Sequence, residues 1–385
     1  MNVGIGLSVS NFSSVPTVGL DLDAAIAALF SSGEEGAWYD PSDLTTLYQD
    51  ANGFTPVTGT GQPVGLMLDK SKGLTLGSEL FSDFATEGLW TDNGNGSWSI
   101  TSAASTTDLR STTLGVTGKR YRIEITFAVS SGLVAVYPLN TTPYSVSSGQ
   151  TKVVFTEANY GVISDQLWIR AATGTTATVS NISVKELPGN HATQSTSTAR
   201  PTLQLSGSSY YLDFDGADDR ISTATLTSQS QPFTMATASR LDAVPTAFYL
   251  VDGPDGAARV IHYGFSDNTQ VYAGSAVVLG STSSVLGTQS RVWFSHFNTT
   301  DSTVRVDGAD VATSANVGTG SWEGIKIGAR TSTNADRFNG GFYGLIFVNR
   351  TLDPDEITNV ESYLADKTGA FVAPVITGVP TISVS

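Results

Sequence analysis

Short runs of alternating apolar and polar residues, separated by glycine, serine and threonine, constrain the fold of this sequence more than any other feature. Six such runs follow one another between Leu74 and Leu187: WSITSA, YRIEITFAV, LVAVYPL, KVVFTEA, LWIRAA and ATVSNISVKEL. Alternation with a period of two gives each strand one apolar face, and turns at intervals of roughly 8 to 20 residues are typical of β-sandwiches. This region is predicted to form one β-sandwich of about 115 residues.

A second set of strand-like runs occupies the region from Tyr210 onwards. The runs are YYLDFDG, DRISTAT, FTMATASRL, TAFYLVD, ARVIHYGF, VWFSHFN, STVRVDGADV, GIKIGAR and GFYGLIFVNR. Their alternation and spacing predict a second sandwich. The length of 385 residues suits two or three domains.

Two short helices are predicted beside the strands. LDLDAAIAALF, residues 20–30, has Asp21 or Asp23 near its start, where a carboxylate suits the helix dipole. A second helix is predicted over residues 353–367, with Asp353 as its N-cap, followed by Pro354. The expected fold class is therefore all-β, with two β-sandwich (jelly-roll) domains and these two helices.

Charge and cysteine content exclude several classes of protein. The chain carries 20 Lys and Arg against 35 Asp and Glu, a net charge of −15, so it offers little attraction to a phosphate backbone. It contains no cysteine, which excludes disulfide scaffolds and thiolate zinc sites. The sequence has no apolar stretch of about 18 residues and no basic region at its N-terminus. We therefore expect synthesis in the cytoplasm without a signal peptide, no nucleic-acid partner and no membrane insertion.

Both ends of the sequence are uncharged and β-prone. The first ten residues read MNVGIGLSVS, and TGAFVAPVITGVPTISVS follows Lys367, the last charged residue. Free ends of this kind promote aggregation, so at least one is predicted to dock on a partner chain or on another copy. Frayed termini are the alternative interpretation.

Four segments of the sequence carry a resemblance to a known family. They read GAWYDPSDLTTLYQDANGFTPVTGTGQPVGLMLDKS, GNHATQSTSTARPTL, YYLDFDGADDRI and GGFYGLIFVNRTLDPDEITNVESYLADKTG. Together they closely resemble tailed-bacteriophage and prophage virion proteins that carry a concanavalin A-like, laminin-G-type sandwich. In those relatives DKS commonly runs almost directly into GNHATQ, whereas here residues 72–188 lie between the two segments. The intervening region resembles jelly-roll modules of the carbohydrate-binding type.

The resemblance implies a discontinuous domain organisation. A concanavalin A-like sandwich is expected over residues 36–71 plus 189–369, with a carbohydrate-binding-module-like β-sandwich inserted at 72–188. Residues 1–35 are expected to dock the protein to a virion, and residues 370–385 to form an extended tail. An insertion is physically reasonable because the two ends of a domain often lie close together at its surface.

Aromatic residues of the inserted sandwich are the candidates for ligand binding, because the apolar face of a sugar packs on a ring. The candidates are Trp90, Tyr137, Tyr144 and Tyr160. Tyr137 and Tyr144 flank the PLNTTP loop and are the ones expected to be exposed. Trp98 and Trp168 lie within strands among apolar neighbours and are expected in the core. An oligomer interface would use the same residue types.

The segment LDFDGADDR concentrates carboxylates that could hold a metal ion. They are Asp213, Asp215, Asp218 and Asp219. Calcium prefers such oxygen ligands, and similar laminin-G-type domains sometimes bind it. The favoured interpretation is a tight turn in which Gly216 adopts a positive φ and Asp218 or Asp219 accepts backbone N–H groups or pairs with Arg220. No cofactor is therefore expected, although calcium stays open.

Common catalytic signatures are missing from the sequence. The histidines His191, His262 and His296 lie far apart and are expected to be structural, and there is no GxSxG motif or glycine-rich phosphate loop. A carboxylate-pair glycosidase stays open as an alternative because such pairs form in space rather than in sequence.

The sequence and its resemblance thus predict a non-enzymatic structural protein on the surface of a phage particle, in a tail tip, fibre or spike. Its sandwiches would attach to a glycan on the host surface. Expected partners are other virion proteins through the N-terminal segment and further copies of the chain, a trimer being one arrangement. The alternatives are a capsid decoration or head-fibre protein without receptor binding, and a virion-borne glycan hydrolase.

Overall fold

The computed structural model describes residues 21–140, 143–146, 150–158, 165–244, 247–253, 261–265, 268–281 and 287–369. Strands before the insertion are β1 (Gly36–Tyr39), β2 (Leu47–Tyr48) and β3 (Leu66–Met67). The inserted region contains β4 (Phe84–Thr86), β5 (Thr91–Asp92), β6 (Ser97–Ile100), β7 (Thr107–Thr113), β8 (Arg120–Ser131), β9 (Val134–Pro138), β10 (Tyr144–Val146), β11 (Gln150–Glu157), β12 (Gln166–Ala171) and β13 (Thr176–Glu186).

The remaining strands follow the insertion. They are β14 (Ala192–Thr193), β15 (Thr202–Ser206), β16 (Ser209–Asp215), β17 (Ile221–Ser222), β18 (Phe233–Leu241), β19 (Ala247–Asp252), β20 (Ile261–Phe265), β21 (Asn268–Tyr272), β22 (Ala276–Ser281), β23 (Arg291–Phe297), β24 (Ser302–Val306), β25 (Ala309–Ala315), β26 (Lys326–Ile327) and β27 (Asn339–Val348). The helices are α1 (Leu22–Ala28) and α2 (Pro354–Thr368). Among the described residues, the predicted all-β fold with two sandwiches and two α-helices is confirmed.

The inserted sandwich consists of two five-stranded antiparallel sheets. Their strand orders are β10-β9-β12-β7-β4 and β11-β8-β13-β6-β5. Burial alternates along β12, where Leu167, Ile169 and Ala171 face the core between the sheets. The intervening side chains of β12 therefore lie on the outer face of the first sheet.

The other sandwich, here called the host sandwich, consists of one eight-stranded and one nine-stranded sheet. The first has the order β15-β16-β27-β18-β23-β24-β25 with β1 added on β27, and the second has the order β2-β3-β14-β17-β26-β19-β20-β21-β22. In the eight-stranded sheet, Phe347 packs toward the nine-stranded sheet while Ile346 packs toward the helices. Because both faces of this sheet are covered, β18 and β27 are buried along almost their whole length.

Both helices pack on the outer face of the eight-stranded sheet. The N-cap of α1 is Asp21, whose carboxylate accepts an N–H from Ala24 at 3.1 Å. Asp353 caps α2, as predicted, and accepts N–H groups from residues 355 and 356, whereas Gly369 ends the helix at a φ of 65°. Neither helix in the described part of the chain has the length and apolar character that crossing a membrane requires.

Helix α1 belongs to the host sandwich rather than to a separate segment. Ile26, Leu29 and Phe30 are buried in one cluster with Tyr363 and Leu364 of α2. The predicted boundary at residue 35 is therefore too late, because residues 21–35 already contribute to this core. Residues 1–20, and the predicted tail at 370–385, lie outside the described residues.

The two segments that flank residues 72–188 meet directly in the host sandwich. Strand β3 pairs with β14, with Met67 opposite Ala192. Asp69, which is buried, accepts an N–H from Trp38 at 2.8 Å and one from Asn190 at 2.7 Å. DKS and GNHATQ therefore form one continuous structure, and the inserted sandwich projects from between them.

A small apolar cluster joins the two sandwiches. Leu66 and Leu68 of the host sandwich pack with Phe155 and Leu187 of the inserted region. The N–H of Phe155 also donates to the carbonyl of Asn52 at 2.8 Å. The inserted sandwich is thus held by side-chain and backbone contacts as well as by its two connections.

Candidate functional site

A tryptophan lies at the centre of the outer face of the sheet that contains β9, β12 and β7. Trp168 is directly opposite Tyr137 of β9 on one side and Arg110 of β7 on the other. All three side chains are partly exposed, whereas Leu167 and Ile169 on either side of Trp168 are buried. This row of three side chains, with Asp108 and Arg170 of the neighbouring row, is called the outer platform below.

The ring of Trp168 is held in place from several directions. The guanidinium carbon of Arg110 lies 3.9 Å from the ring centroid, and the ring of Tyr137 approaches edge-on with centroids 6.0 Å apart. The indole N–H donates to Oε1 of Gln166 at 2.9 Å. A ring fixed in this way loses little conformational entropy when a ligand packs on it.

Asp108 joins the two arginines of the outer platform. Arg170 donates to both carboxylate oxygens, from Nε at 2.7 Å and from Nη2 at 3.1 Å, and Nη2 of Arg110 donates at 2.5 Å. Burial raises the pKa of Asp108, but the hydrogen bonds from the two arginines outweigh it and the pKa lies below its ordinary value. Two guanidinium groups on one carboxylate leave a surplus of positive charge and of N–H donors beside the rings.

The four aromatic residues predicted as ligand-binding do not share one surface. Tyr137 belongs to the outer platform. Trp90 is only 4% exposed and lies in the core of the inserted sandwich, so its prediction as a ligand-binding residue is wrong. Tyr160 lies outside the described residues.

Tyr144 faces the host sandwich rather than open solvent. Its ring packs edge-on against Phe54, with centroids 4.9 Å apart. Its hydroxyl is buried without a hydrogen-bond partner in the part of the chain that the structure describes, and this burial raises its pKa. Tyr144 is therefore only partly exposed, because its ring packs between the two sandwiches.

Of the two strand tryptophans expected in the core, only one lies there. Trp98 is 3% exposed and lies in the core, as predicted. Trp168 was expected beside it but points outward. Its neighbours are apolar because they occupy the inner positions of β12, and a period of two places the residue between two inner positions on the opposite face. The alternation therefore indicated the outward direction of Trp168.

The acidic segment after β16 forms a tight turn. Gly216 has a φ of 73°, and Oδ1 of Asp215 accepts N–H groups from Ala217 at 2.7 Å and from Asp218 at 3.3 Å. Asp219 accepts the N–H of Asp215 at 3.1 Å. These bonds are those expected of the turn interpretation.

Three of the four predicted carboxylates lie together in this turn. The carboxylate oxygens of Asp215, Asp218 and Asp219 lie within 4.8 Å of one another, whereas Asp213 lies outside this group and is influenced by Asp242, Arg240 and Asp215. Burial and the neighbouring carboxylates raise the pKa of Asp219 to about 6. The turn thus concentrates negative charge.

Two of the three histidines have structural hydrogen bonds. Nδ1 of His191 accepts the N–H of Asp69 at 2.9 Å, so its Nε2 carries the proton and donates to the carbonyl of Leu187 at 3.1 Å. Nε2 of His296 accepts the N–H of Leu352 at 3.0 Å. The side chain of His262 lies outside the part that the structure describes.

Comparisons with known proteins return only structural likenesses. No protein-family model and no curated protein matches the sequence. A Trypanosoma rangeli sialidase in complex with sialic acid aligns with 48% of this chain at 15% identity and a TM-score of 0.35. The alignment spans 31% of the length of that sialidase.

Two smaller proteins align over nearly their whole length. The CBM40 of the Ruminococcus gnavus IT-sialidase is covered to 96%, matching 38% of this chain at 13% identity and a TM-score of 0.28. Domains LG4-5 of the mouse laminin alpha1 chain are covered to 95%, matching 72% of this chain at 11% identity and a TM-score of 0.29.

Proposed function

We propose that this protein is a non-enzymatic glycan-binding protein on the surface of a tailed-phage particle, and that the outer platform of its inserted sandwich contacts the glycan. The position of Trp168 carries the proposal. It lies at the centre of an outward-facing sheet surface, flanked by a second aromatic ring and by guanidinium donors.

The chemistry of the outer platform suits a sugar. The C–H face of a pyranose packs on the exposed parts of the rings of Trp168 and Tyr137. N–H groups of Arg110 and Arg170, and the carboxylate of Asp108, can exchange hydrogen bonds with its hydroxyl groups. The surplus positive charge favours a glycan that carries acidic groups.

The virion location rests on the sequence resemblance to phage proteins. In this proposal, a segment that precedes α1 docks the chain to other virion proteins, and several copies assemble on the particle. Many copies on one particle raise the overall avidity by about 10² to 10⁴ over a single site. A weak individual sugar site is therefore sufficient for attachment.

The proposal is tested by adsorption of the purified chain to intact host cells and to their isolated surface polysaccharide. Trp168→Ala should weaken binding at least tenfold, about 1.4 kcal/mol. The matched control is Tyr272→Ala, which removes a partly exposed aromatic residue from β21 in the host sandwich. Both variants should keep the thermal stability of the parent chain to within a few degrees.

Each other outcome identifies a different function. Equal binding by Trp168→Ala and the parent chain would remove the outer platform from the proposal. Assembly on particles without any adsorption to cells would favour the capsid decoration or head-fibre alternative. Release of reducing sugar from the polysaccharide would favour the hydrolase.

A further inference from the structure

A cavity of about 150 Å³ opens on the nine-stranded sheet of the host sandwich, the sandwich that does not carry the outer platform. Its polar lining includes Ser222, Thr223, Glu323, Lys326 and Thr331. The cavity is therefore small and polar.

Strand alternation places these polar groups on the outer face of the sheet. Ile221 and Val251 both lie opposite Ile327, and all three are buried in the host core. The next residues along the three strands bring Lys326 between Ser222 and Asp252. Because successive side chains of a strand point to opposite faces, this second row faces away from the core.

Lys326 lies in a cationic setting. Burial lowers its pKa, and the positive charges of Arg220 and Arg337 lower it further against the opposing effect of Asp252. Its Nζ donates to Oδ1 of Asn334 at 2.8 Å. Lys326 is therefore a partly buried cation that is influenced by two arginines and by the carboxylate of Asp252.

One hydrogen-bonding group in the lining of the cavity is unsatisfied. Oγ1 of Thr331 is buried without a hydrogen-bond partner among the described residues. A buried polar group left unpaired costs about 1–3 kcal/mol. A ligand that accepts a hydrogen bond from Thr331 would recover part of that cost.

Carboxylates limit what the cavity can hold. Asp252, directly opposite Lys326, is buried, and its Oδ2 accepts the N–H of Thr331 at 2.5 Å. Glu323 lines the cavity and offers an acceptor to a hydroxyl group. A simple inorganic anion would use the cation but not this acceptor, whereas an acidic sugar would use both.

We infer that this cavity binds a saccharide unit bearing a carboxylate, with the acidic group at Lys326 and Thr331 and a hydroxyl group donating to Glu323. The inference rests on the proposed function for its ligand class, a saccharide, but it places a second site on the other sandwich. The chain would then contact a polysaccharide at two points.

The probes that test the inference are D-glucuronate and D-glucose, which differ by one carboxylate. Retention of each on the immobilised full chain is measured by frontal affinity chromatography at low and at high salt. Glucuronate should be retained more strongly than glucose, and added salt should reduce the difference. Lys326→Gln should weaken glucuronate binding at least tenfold, and Thr331→Val about three- to tenfold.

The matched control is Lys119→Gln, which removes the same charge from a lysine paired with Glu186 on the inserted sandwich. It should bind glucuronate as the parent chain does. Glucuronate should also protect Lys326 from acetylation by acetic anhydride, read by mass spectrometry. If Lys326→Gln fails to fold, glucuronate binding by Thr331→Val tests the inference.

Equal retention of the two sugars, or unchanged glucuronate binding by a folded Lys326→Gln or Thr331→Val variant, would overturn the inference. Because these measurements use monosaccharides and variants of the host sandwich, they are separate from the adsorption of Trp168→Ala to cells. A negative result for glycan binding at the outer platform can therefore be distinguished from a negative result for glucuronate binding at the cavity.

Discussion

The backbone N–H of Asp69 donates to Nδ1 of His191 at 2.9 Å, although 121 residues lie between the two positions in the sequence. The same histidine donates to the carbonyl of Leu187, the residue before Pro188 at the end of the insertion. One imidazole thus ties both ends of the inserted region to the host sandwich.

Replacing His191 with Leu should lower the free energy of unfolding by about 2–4 kcal/mol, because a buried N–H and a buried carbonyl both lose their partners. His191→Asn is the matched control, since its amide oxygen can still accept the N–H of Asp69. It should cost roughly half as much. Urea unfolding of the three proteins at pH 7 gives the comparison, and equal stability of all three would contradict a structural role for the ring.

Acid should destabilise the protein through its buried histidines. Burial lowers the pKa of His191 to about 3 and that of His296 to about 4. Since the unfolded value is about 6.5, their stabilisation is fully present above about pH 6.5 and is lost as the pH falls, at about 1.4 kcal/mol per pH unit for each histidine. Unfolding between pH 7 and pH 5 measures this slope. In His296→Asn, the dependence of the unfolding free energy on pH should decrease by the contribution of one histidine. An unchanged dependence would exclude His296 as a contributor.

Asp219 should act in the opposite direction. Its pKa is raised to about 6 from an ordinary value of 3.8, so its stabilisation is fully present below about pH 3.8 and is lost as the pH rises through about 6. Asp219→Asn keeps an acceptor for the N–H of Asp215 and should raise the Tm by a few degrees at pH 7.5 but not at pH 4. If calcium instead raised the Tm of the parent chain and not that of the variant, the turn would be a calcium site.

Asp108→Ala should destabilise the inserted sandwich more than Arg110→Ala. Removing the carboxylate leaves two guanidinium groups close together without their shared acceptor, and hydrogen bonds to charged groups contribute about 1.5–3 kcal/mol each. Removing Arg110 leaves the paired bonds between Asp108 and Arg170 intact. Thermal unfolding of both variants tests the order, and the reverse order would mean that the contact of Arg110 with Trp168 dominates.

Deleting residues 1–32 should destabilise the host sandwich more than deleting residues 1–20. The longer deletion removes Ile26, Leu29 and Phe30 from a buried cluster, and burying such a side chain contributes about 1.5–3 kcal/mol. The expected loss is roughly 5 kcal/mol. Differential scanning calorimetry of the two truncated chains compares their stabilities. The shorter deletion is thus the one to use when virion docking is tested, because it leaves α1 in place.

Local chemistry predicted several elements directly. The helix that starts at Asp353 and ends at Gly369 follows from its cap, its proline and its glycine. Long strands such as β8 have alternating apolar residues, and RYRIEITFAV stands out on that ground alone. The contact between DKS and GNHATQ followed from the family resemblance, since no local pattern links positions so far apart.

The outer platform could be predicted only in part. Strand β7, TDLRSTT, has one apolar residue, Leu109, so the hydrophobic pattern gives no indication of a strand. Yet this strand places Asp108 and Arg110 beside Trp168. Which strands become neighbours is decided by packing across the whole sandwich, and that information is not contained in any short segment.

Because β3 pairs with β14, the two points at which the inserted region joins the host sandwich lie side by side. Because the chain leaves and returns at adjacent, hydrogen-bonded strands, a module of almost any size can occupy the gap without disturbing the ladder on either side. Recombination can then exchange the inserted module for another while the host sandwich stays constant. A change in what the chain binds would thus need the replacement of only one continuous block of coding sequence.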